Sequence, residues 1–338
     1  MASIALNLIM KDEAAVLPRL LESVVPLLDR YTVVDTGSRD DSIRIVREFF
    51  AARGIPGEIR EHPFRDFADA RNAALDLLSG QADYGFWIDC DEQLLLPPAF
   101  DGAAFRAGLG EHDLYTLTVR VEQIAYPRAC IFRCGKPFHW QGVVHERLQC
   151  SEAISIGSLE QPVVQVHSDG NSWAEGLRAK YLRHAQLLEA AYAHGDDPRD
   201  LFYLAQSYRD AGDHGRALIA YRERAGRNDG YHEERYYAQF MAGLMCERLR
   251  LPAQAVIAEY LKASAFEPER AEHLLNVLLL LQGAGQWQAA LNLGTELLQR
   301  YHRRSPYPKC SLFVDESVYA WKIQQAHQAT LQYLSGAQ

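Results

Sequence analysis

The chain has 338 residues, of which 48% are hydrophobic and 23% are charged, and this balance is typical of a soluble globular protein with one or two domains. Its formal net charge of −9 argues against broad nucleic-acid binding, which requires a basic face. Its six cysteines are scattered, and we recognise neither a signal peptide nor a membrane-spanning run, so we expect a cytoplasmic protein without disulfides.

Residues 1 to about 167 alternate strand and helix patterns. Strands are predicted at residues 4–10, 31–34, 57–61 and 84–88, and helices at about 14–25, 42–52 and 68–78. This alternation is typical of parallel strands joined by right-handed helical crossovers. Such open sheets bind ligands beyond the carboxyl ends of their strands. Asp12, Asp35 and Asp89 fall at these ends, so we expect a ligand site there.

Asp89 and Asp91 follow the fourth predicted strand with one residue between them. Side chains two apart in an extended chain project to the same side. Two neighbouring carboxylates resist full ionisation unless a cation compensates their charge, and Mg²⁺ is often held by one or two carboxylates together with substrate phosphates. The pattern therefore predicts a metal–diphosphate site, although short acidic strings also occur in solvated loops.

Other nucleotide and metal sites are disfavoured by their missing motifs. No glycine-rich dinucleotide fingerprint follows the first strand, and no P-loop sequence occurs. A haloacid-dehalogenase-type phosphatase is disfavoured because Gln93 stands where its pattern has threonine. A zinc site at Cys130, Cys134, His139 and His145 is also disfavoured, because the two cysteines lie in a strand-like run rather than on a tight knuckle.

Beyond about residue 176 the pattern is helical and repetitive. Ala217, Ala255 and Ala290 recur 38 and 35 residues apart, a period typical of tetratricopeptide-like helix pairs in which a small residue lets helices approach closely. We therefore expect an α/β domain at residues 1–170 and a helical repeat domain at 171–338. A capping helix is predicted within residues 313–334, sealed by Phe313, Val318, Trp321 and Ile323.

Six motifs in order resemble the GT-A fold of family 2 glycosyltransferases. They are NLIMKDE at 7–13, VVDTGSRDDS at 33–42, FADARN at 67–72, WIDCDE at 87–92, FR at 132–133 and WQGVVHE at 140–146. Members joined to a C-terminal tetratricopeptide region form a known subgroup, so the resemblance covers nearly the whole chain. One departure is Asp12, where members commonly carry asparagine. The resemblance implies a Rossmann-like, mostly parallel GT-A domain and metal-dependent, inverting transfer from a nucleotide-sugar, most commonly UDP-linked. The acceptor would be a protein, peptide or glycan, docked on the repeats.

The resemblance also implies roles for individual residues. The nucleotide-sugar donor would contact Asp12, Glu13, Asp35, Gly37, Arg71 and Asp89. Mn²⁺ or Mg²⁺ would be held by Asp91, Asp89 and a histidine, His167 or in its place His145. Glu146 would be the catalytic base, and Asp91 would act in catalysis through the cation.

Structural alternatives stand beside these roles. Asp35 could form a turn before Gly37, Arg71 could pair with Asp69 or Asp66, and Glu146 could pair with Arg147 or Arg133. Glu92 could be the outer carboxylate of the cluster. The chain as a whole could be a binding scaffold whose glycosyltransferase domain has lost turnover.

Overall fold

The computed structural model describes residues 2–121, 124–171, 176–306, 309–310 and 312–336. The chain divides into two compact units, residues 1–180 and residues 181–338. The domain boundary that the sequence places after residue 170 stays a prediction.

The first unit is built on a mostly parallel sheet. Its strands are β1 (Ile4–Met10), β2 (Arg30–Asp35), β3 (Gly57–Glu61), β4 (Tyr84–Trp87), β5 (Glu92–Leu95), β6 (Leu114–Val121), β7 (Ile124–Arg133) and β10 (Ile156–Val166). In the described part of the unit, these eight strands follow the order β3-β2-β1-β4-β7-β6-β10-β5. The first four in this order are parallel, which confirms the predicted βα alternation. Strand β7 is antiparallel to β4 and β6, and β5 is antiparallel to β10.

Helices cover both faces of this sheet. They are α1 (Leu17–Val24), α2 (Ser42–Ala51), α3 (Phe67–Leu78) and α4 (Gly102–Gly108). Side chains alternate along β1, so Leu6 and Leu8 pack with α1 and α2, while Ala5 packs on the opposite face in the cluster that contains α3 residues. On that second face lies a two-stranded sheet of β8 (Phe138–Gln141) and β9 (Arg147–Cys150).

The second unit is a series of helix pairs. The helix α5 (Leu177–Gly195) leads into it, and the pairs are α6 (Pro198–Asp210) with α7 (His214–Gly226), α8 (His232–Arg248) with α9 (Ala253–Leu261), and α10 (Glu272–Gly283) with α11 (Trp287–Tyr301). Aspartates begin two of these helices, because Asp197 and Asp213 accept backbone N–H groups of the first turn. The three helix pairs confirm the paired-helix pattern that the sequence predicts.

Two of the three repeat alanines lie where neighbouring helices pack closely, and the third does not. Ala217 and Ala290 are fully buried, as predicted, but Ala255 is exposed, so its predicted packing role is wrong. In that pair the close approach is made instead by Gly243 of α8, which lies directly against the buried ring of Tyr260. A periodic small residue locates the helix pair, but the helix rotation decides which small residue faces its neighbour.

The C-terminal helix α12 (Ile323–Gly336) follows a turn of π-helix at Val318–Lys322. Val318 and Ile323 are buried in the last hydrophobic cluster, as predicted. Phe313 and Trp321 are about half exposed, at 51% and 49%, so their predicted sealing role is wrong. Among the helices of the described residues, none combines the length and apolarity needed to cross a membrane.

We predict that Gly243→Ala destabilises the helical unit. An alanine in a helix is ordinarily favoured over glycine by up to about 1 kcal/mol. Here a β-carbon would lie 2.3 Å from Tyr260 Cδ1, and overpacking of a buried ring costs roughly 1–3 kcal/mol, so the clash should win. Urea unfolding followed by circular dichroism measures the change. The matched control is Gly283→Ala in α10, where a β-carbon meets no atom within 4 Å, and stability should be kept or raised. Equal effects of the two substitutions would contradict the packing account.

Candidate functional site

Acidic side chains gather where β1, β2 and β4 end. The three strands are neighbours and parallel, so the residues that follow them meet at one edge of the sheet. Asp35 ends β2 and is 1% exposed. Its Oδ2 accepts the backbone N–H groups of Gly37 and Ser38 at 3.0 and 2.9 Å, so the turn-forming interpretation is correct for that oxygen. No donor among the described residues reaches the buried Oδ1. One oxygen of Asp35 is thus buried without a hydrogen-bond donor from the described residues.

The loop after β1 is held by the loop after β2. Asp12 has the left-handed φ of 53°, a conformation that asparagine and aspartate tolerate better than most residues. This shared tolerance accounts for aspartate at a position where asparagine is common. Its Oδ1 accepts the Arg39 N–H at 2.6 Å and its own N–H donates to Ser38 Oγ at 2.9 Å. The side chain of Asp12 is therefore occupied in shaping the loop. Gly37 has a φ of 107° with open space around its α-carbon, so this stretch of backbone is accessible.

Arg71 of α3 lies between two of the predicted site carboxylates. Its Nη2 donates to Asp89 Oδ1 at 2.6 Å and its Nε donates to Glu146 Oε1 at 2.5 Å. The guanidinium carbon lies 4.5 Å from the ring centre of Trp87 and 5.0 Å from that of Trp140. Only 6% of the side chain is exposed. Arg71 therefore joins the donor side and the acceptor side of the predicted site through one buried cation.

The alternative pairings for Arg71 and Glu146 are wrong. Asp66 caps the start of α3 by accepting the Asp69 N–H at 2.8 Å, and Asp69 itself pairs with His62 at 2.7 Å. Arg133 pairs with Asp113 at 3.1 Å, and Arg147 donates to Gln141. The partner of Glu146 is Arg71, which the sequence motifs place 75 residues away.

Helix α3 also fastens the segment that carries Glu146. The side-chain amide of Asn72 donates to the Trp140 carbonyl at 2.9 Å and accepts the Trp140 N–H at 2.8 Å. The N–H of Phe67 donates to the Val143 carbonyl at 3.2 Å. Because these contacts are to backbone atoms, they fix the path of the chain irrespective of the side chains in between. The FADARN and WQGVVHE motifs are thus held together by hydrogen bonds.

The carboxyl side chains of Glu13 and Asp91 meet at this edge of the sheet. Glu13 lies beside Asp91, because a β-carbon placed on the buried Gly170 would come within 3.0 Å of Asp91 Cβ and 3.1 Å of Glu13 Oε2. Burial raises the pKa of Glu13 to about 7, against the lowering by the Asn171 N–H, and the charges of Asp91, Asp40 and Asp89 add to the rise. Glu13 is thus exposed to the negative charge of three neighbouring aspartates.

Asp89 and His167 are engaged in other contacts. Burial alone would raise the pKa of Asp89, but the charges of Arg71 and Arg128 hold it below its usual range. His167 continues the register of β10 and β5 by donating its N–H to the Asp91 carbonyl at 3.1 Å, which places it opposite Asp91, while its ring nitrogen Nε2 lies 3.1 Å from Gln93 Oε1. His145 is exposed. The described residues contain no group of three or more histidine, cysteine, aspartate or glutamate side chains that could hold a metal by themselves, so the metal set stays a prediction.

The sequence motifs do not include a buried ion pair next to Asp89 and Asp91, the two aspartates that we call the acidic tip. Glu92, which the sequence suggests as an outer carboxylate, is 2% exposed and accepts both terminal nitrogens of Arg128 at 2.7 Å, so that interpretation is wrong. Arg128 lies on β7, between motifs. An arginine flanked by apolar residues in a strand-like run, ACIF after YPR, is the signal that could have pointed to it, since such an arginine needs a buried partner.

A cavity of about 400 Å³ lies elsewhere, between α1 and β5. Arg19, Ser23, Gln93 and Leu94 are among the residues that line it. It opens on the face of the sheet that carries α1, whereas Arg71 and Glu146 lie with α3 on the opposite face. The cavity therefore does not connect the predicted donor and acceptor residues.

Comparison with known proteins agrees with this geometry. Residues 8–96 match the model of glycosyl transferase family 2, a segment that runs from β1 to the end of β5. A TPR repeat-containing protein of Synechococcus elongatus is 33% identical over 220 residues, which cover 61% of this chain and 51% of that protein. The chain thus spans about half the length of that curated relative.

Solved structures resemble the chain only distantly. Residues 1–349 of S. aureus TarS match at a TM-score of 0.37 with 12% identity, over 76% of this chain and 83% of that one. A tetratricopeptide repeat protein from Parabacteroides merdae matches at 0.35 with 16% identity, over 49% and 58%. Scores this low carry no inference about function. The chain thus combines a mostly parallel α/β unit, whose residues 8–96 match glycosyl transferase family 2, with a unit of helix pairs like those of tetratricopeptide repeats, as the motifs predict.

We predict that Arg71→Met destabilises the first unit by roughly 3–5 kcal/mol, because it leaves two partly buried carboxylates without their cation. Arg71→Lys should cost less, since it keeps the charge but cannot reach both partners with a planar fork. Denaturant unfolding of the full chain followed by tryptophan fluorescence measures both. Arg65→Met, two residues before the same helix begins, is the control, because that side chain is 78% exposed and pairs with Asp69; its loss should cost less than about 1 kcal/mol. An Arg71→Met variant as stable as this control would refute the bridging role.

Proposed function

We propose that this chain is a metal-dependent, inverting glycosyltransferase that transfers a sugar from a nucleotide-sugar, UDP-linked, to a protein, peptide or glycan acceptor. The observation that carries the proposal is the family 2 match over residues 8–96. That segment contains the end of β1 and the whole of β2, β3 and β4, and it ends just beyond Asp89 and Asp91. The matched residues are therefore the ones that build the acidic edge of the sheet.

The nucleoside would bind at the end of β2. Asp35 Oδ1 is a buried acceptor that no donor in the described part of the chain reaches, and a uracil ring or a ribose offers donors to such an oxygen. The open backbone at Gly37 lets a ligand approach closely. Glu13 and Asp12 border the same loop, where Asp12 acts through the loop it holds. In the proposed complex Arg71 contributes by fixing Asp89 rather than by leaving its two carboxylate partners.

The diphosphate would lie over Asp91. Asp91 with Glu13 beside it supplies carboxylate oxygens for Mn²⁺ or Mg²⁺, Asp89 keeps one oxygen outside its contact with Arg71, and His167 lies across from Asp91 in the strand register. A cation bound there would neutralise charge on the departing diphosphate. One or two carboxylates are enough for such an ion when phosphates complete its shell.

Glu146 is the proposed catalytic base. An inverting transfer needs a group that takes a proton from the acceptor nucleophile. Arg71 holds the Glu146 carboxylate at one oxygen, and the side chain is 11% exposed; in the proposed complex the other oxygen would face the acceptor. Asn72 fixes the strand that leads to it. The helical repeats would recruit the acceptor, since such arrays present extended binding surfaces.

We predict that Asp91→Asn raises the Kd of UDP about 10–100-fold when Mn²⁺ is present, the range expected when a metal site is damaged, and leaves it unchanged when EDTA is present. Titration calorimetry on the full chain measures both. The control is Asp83→Asn at the opposite, amino end of β4, where the carboxylate accepts from Ser3. Cation-independent binding of UDP by the unmodified chain would remove the metal from the proposal.

A second candidate is a binding scaffold without turnover. The contact of Glu146 with Arg71 favours it, because that carboxylate already serves as the partner of a buried cation.

We predict that the unmodified chain hydrolyses at least one UDP-sugar of a panel, transferring the sugar to water and releasing UDP, and that Glu146→Gln lowers this rate roughly 10²–10⁴-fold. The amide keeps the shape and an oxygen for Arg71, so UDP affinity should change little. Product release followed by chromatography measures the rate. No turnover with any nucleotide-sugar, in a chain that still binds UDP, would select the scaffold.

A further inference from the structure

A second arginine, Arg128, anchors the acidic tip through the carboxylate of Glu92. Arg128 of β7 donates from Nη1 to Glu92 Oε1 and from Nη2 to Glu92 Oε2, both at 2.7 Å. This is a bidentate ion pair, in which only 3% of the Glu92 side chain and 16% of the Arg128 side chain are exposed. Bidentate geometry fixes orientation as well as distance. The carboxylate of Glu92 is thereby held in one place.

Glu92 in turn holds the backbone of the turn that carries both aspartates. Its Oε2 accepts the Asp89 N–H at 3.0 Å, and its own N–H donates to the Asp89 carbonyl at 3.1 Å. The residues Asp89 to Glu92 thus form a closed turn with a side-chain and a backbone contact across it. A turn tied at both ends presents its intervening side chain, Asp91, in a restricted direction.

The two arginines share one aromatic ring. The guanidinium carbon of Arg128 lies 4.3 Å from the ring centre of Trp87, and that of Arg71 lies 4.5 Å from it. Trp87 is itself fixed, because its Nε1 donates to the Ala129 carbonyl at 2.6 Å. Arg71 holds the carboxylate of Asp89 and Arg128, through Glu92, holds its backbone. Asp89 is therefore fixed at both its side chain and its main chain.

We propose that Arg128 and Glu92 are positioning residues for the nucleoside diphosphate site: they hold the turn from Asp89 to Asp91 in the conformation that binds the diphosphate and its cation. This inference rests on the proposed function. Neither residue touches the ligand. Their effect is to order the turn before the ligand binds, whereas a flexible turn would lose conformational entropy at each binding event.

The competing explanation is a purely structural ion pair, and the same strand supplies a matched control for it. Arg133, near the other end of β7, also pairs with a carboxylate, Asp113 Oδ1 at 3.1 Å, and its guanidinium lies 4.9 Å from the ring centre of Tyr84. Arg133→Met therefore removes an aromatic-stacked ion pair of the same strand far from the turn. If Arg128 acts only on stability, both variants should behave alike once folded.

The test compares Arg128→Met, Arg128→Lys, Glu92→Gln and Arg133→Met in the full chain. Calorimetry gives the Kd of UDP with Mn²⁺ at a temperature below every Tm, and hydrogen exchange with mass spectrometry reports the amides of residues 88–92 without ligand. We expect Arg128→Met and Glu92→Gln to weaken UDP binding about tenfold or more and to speed exchange at 88–92, with Arg133→Met unchanged in both. Arg128→Lys should recover part of the affinity, because it keeps the charge but not the bidentate fork.

Each outcome decides one of the two claims. A folded Arg128→Met or Glu92→Gln with unmodified affinity and unmodified exchange at 88–92 overturns the positioning role. Should Arg128→Met fail to fold, Arg128→Lys and Glu92→Gln decide it by the same two measurements. If the unmodified chain binds no UDP, the proposed function fails, and hydrogen exchange at residues 88–92 still tests the anchored turn. Faster exchange there in Arg128→Met but not in Arg133→Met supports the anchored turn. Exchange at the same rate in the two variants rejects it.

Discussion

The guanidinium of Arg71 joins the two halves of the proposed site. It contacts Asp89 at the end of β4 and Glu146 beyond β8, and it is buried between Trp87 and Trp140. A buried arginine must have its charge compensated, and here the compensation comes from two residues far apart in the chain. The position of the proposed base relative to the acidic tip is therefore set by one side chain of α3.

The rest of the site depends on this arrangement. Asp89 is tied by Arg71 through its side chain and by Glu92 through its backbone, so the turn that carries Asp91 has little freedom. Asp35 is fixed through one oxygen and leaves the other buried without a partner in the described residues. The carboxyl groups of Glu13 and Asp91 lie next to each other, and burial together with the charge of Asp91 raises the pKa of Glu13 to about 7. Preorganised carboxylates of this kind lower the cost of ordering a ligand.

Local patterns predict the parallel strands and the helix pairs, because both follow from periodicity within a segment. Asp35 and Asp91 lie at the sheet edge that the motifs indicate, since the edge follows from strand direction. The partners of Arg71 and the pair of Glu92 with Arg128 were not predictable, because they join residues 18, 75 and 36 positions apart. The roles predicted for Ala255 and Trp321 were wrong for a similar reason. The burial of each residue depends on how its helix is rotated against a neighbour, which composition does not encode.

A crystal structure of the full chain soaked with UDP and Mn²⁺ tests the central claim most directly. The account predicts a nucleoside hydrogen-bonded to Asp35 Oδ1 and a cation between Asp91 and the diphosphate, with Arg71 still bridging Asp89 and Glu146. A nucleotide bound elsewhere, or bound at the sheet edge with the Arg71 bridge broken and no cation at Asp91, would contradict it.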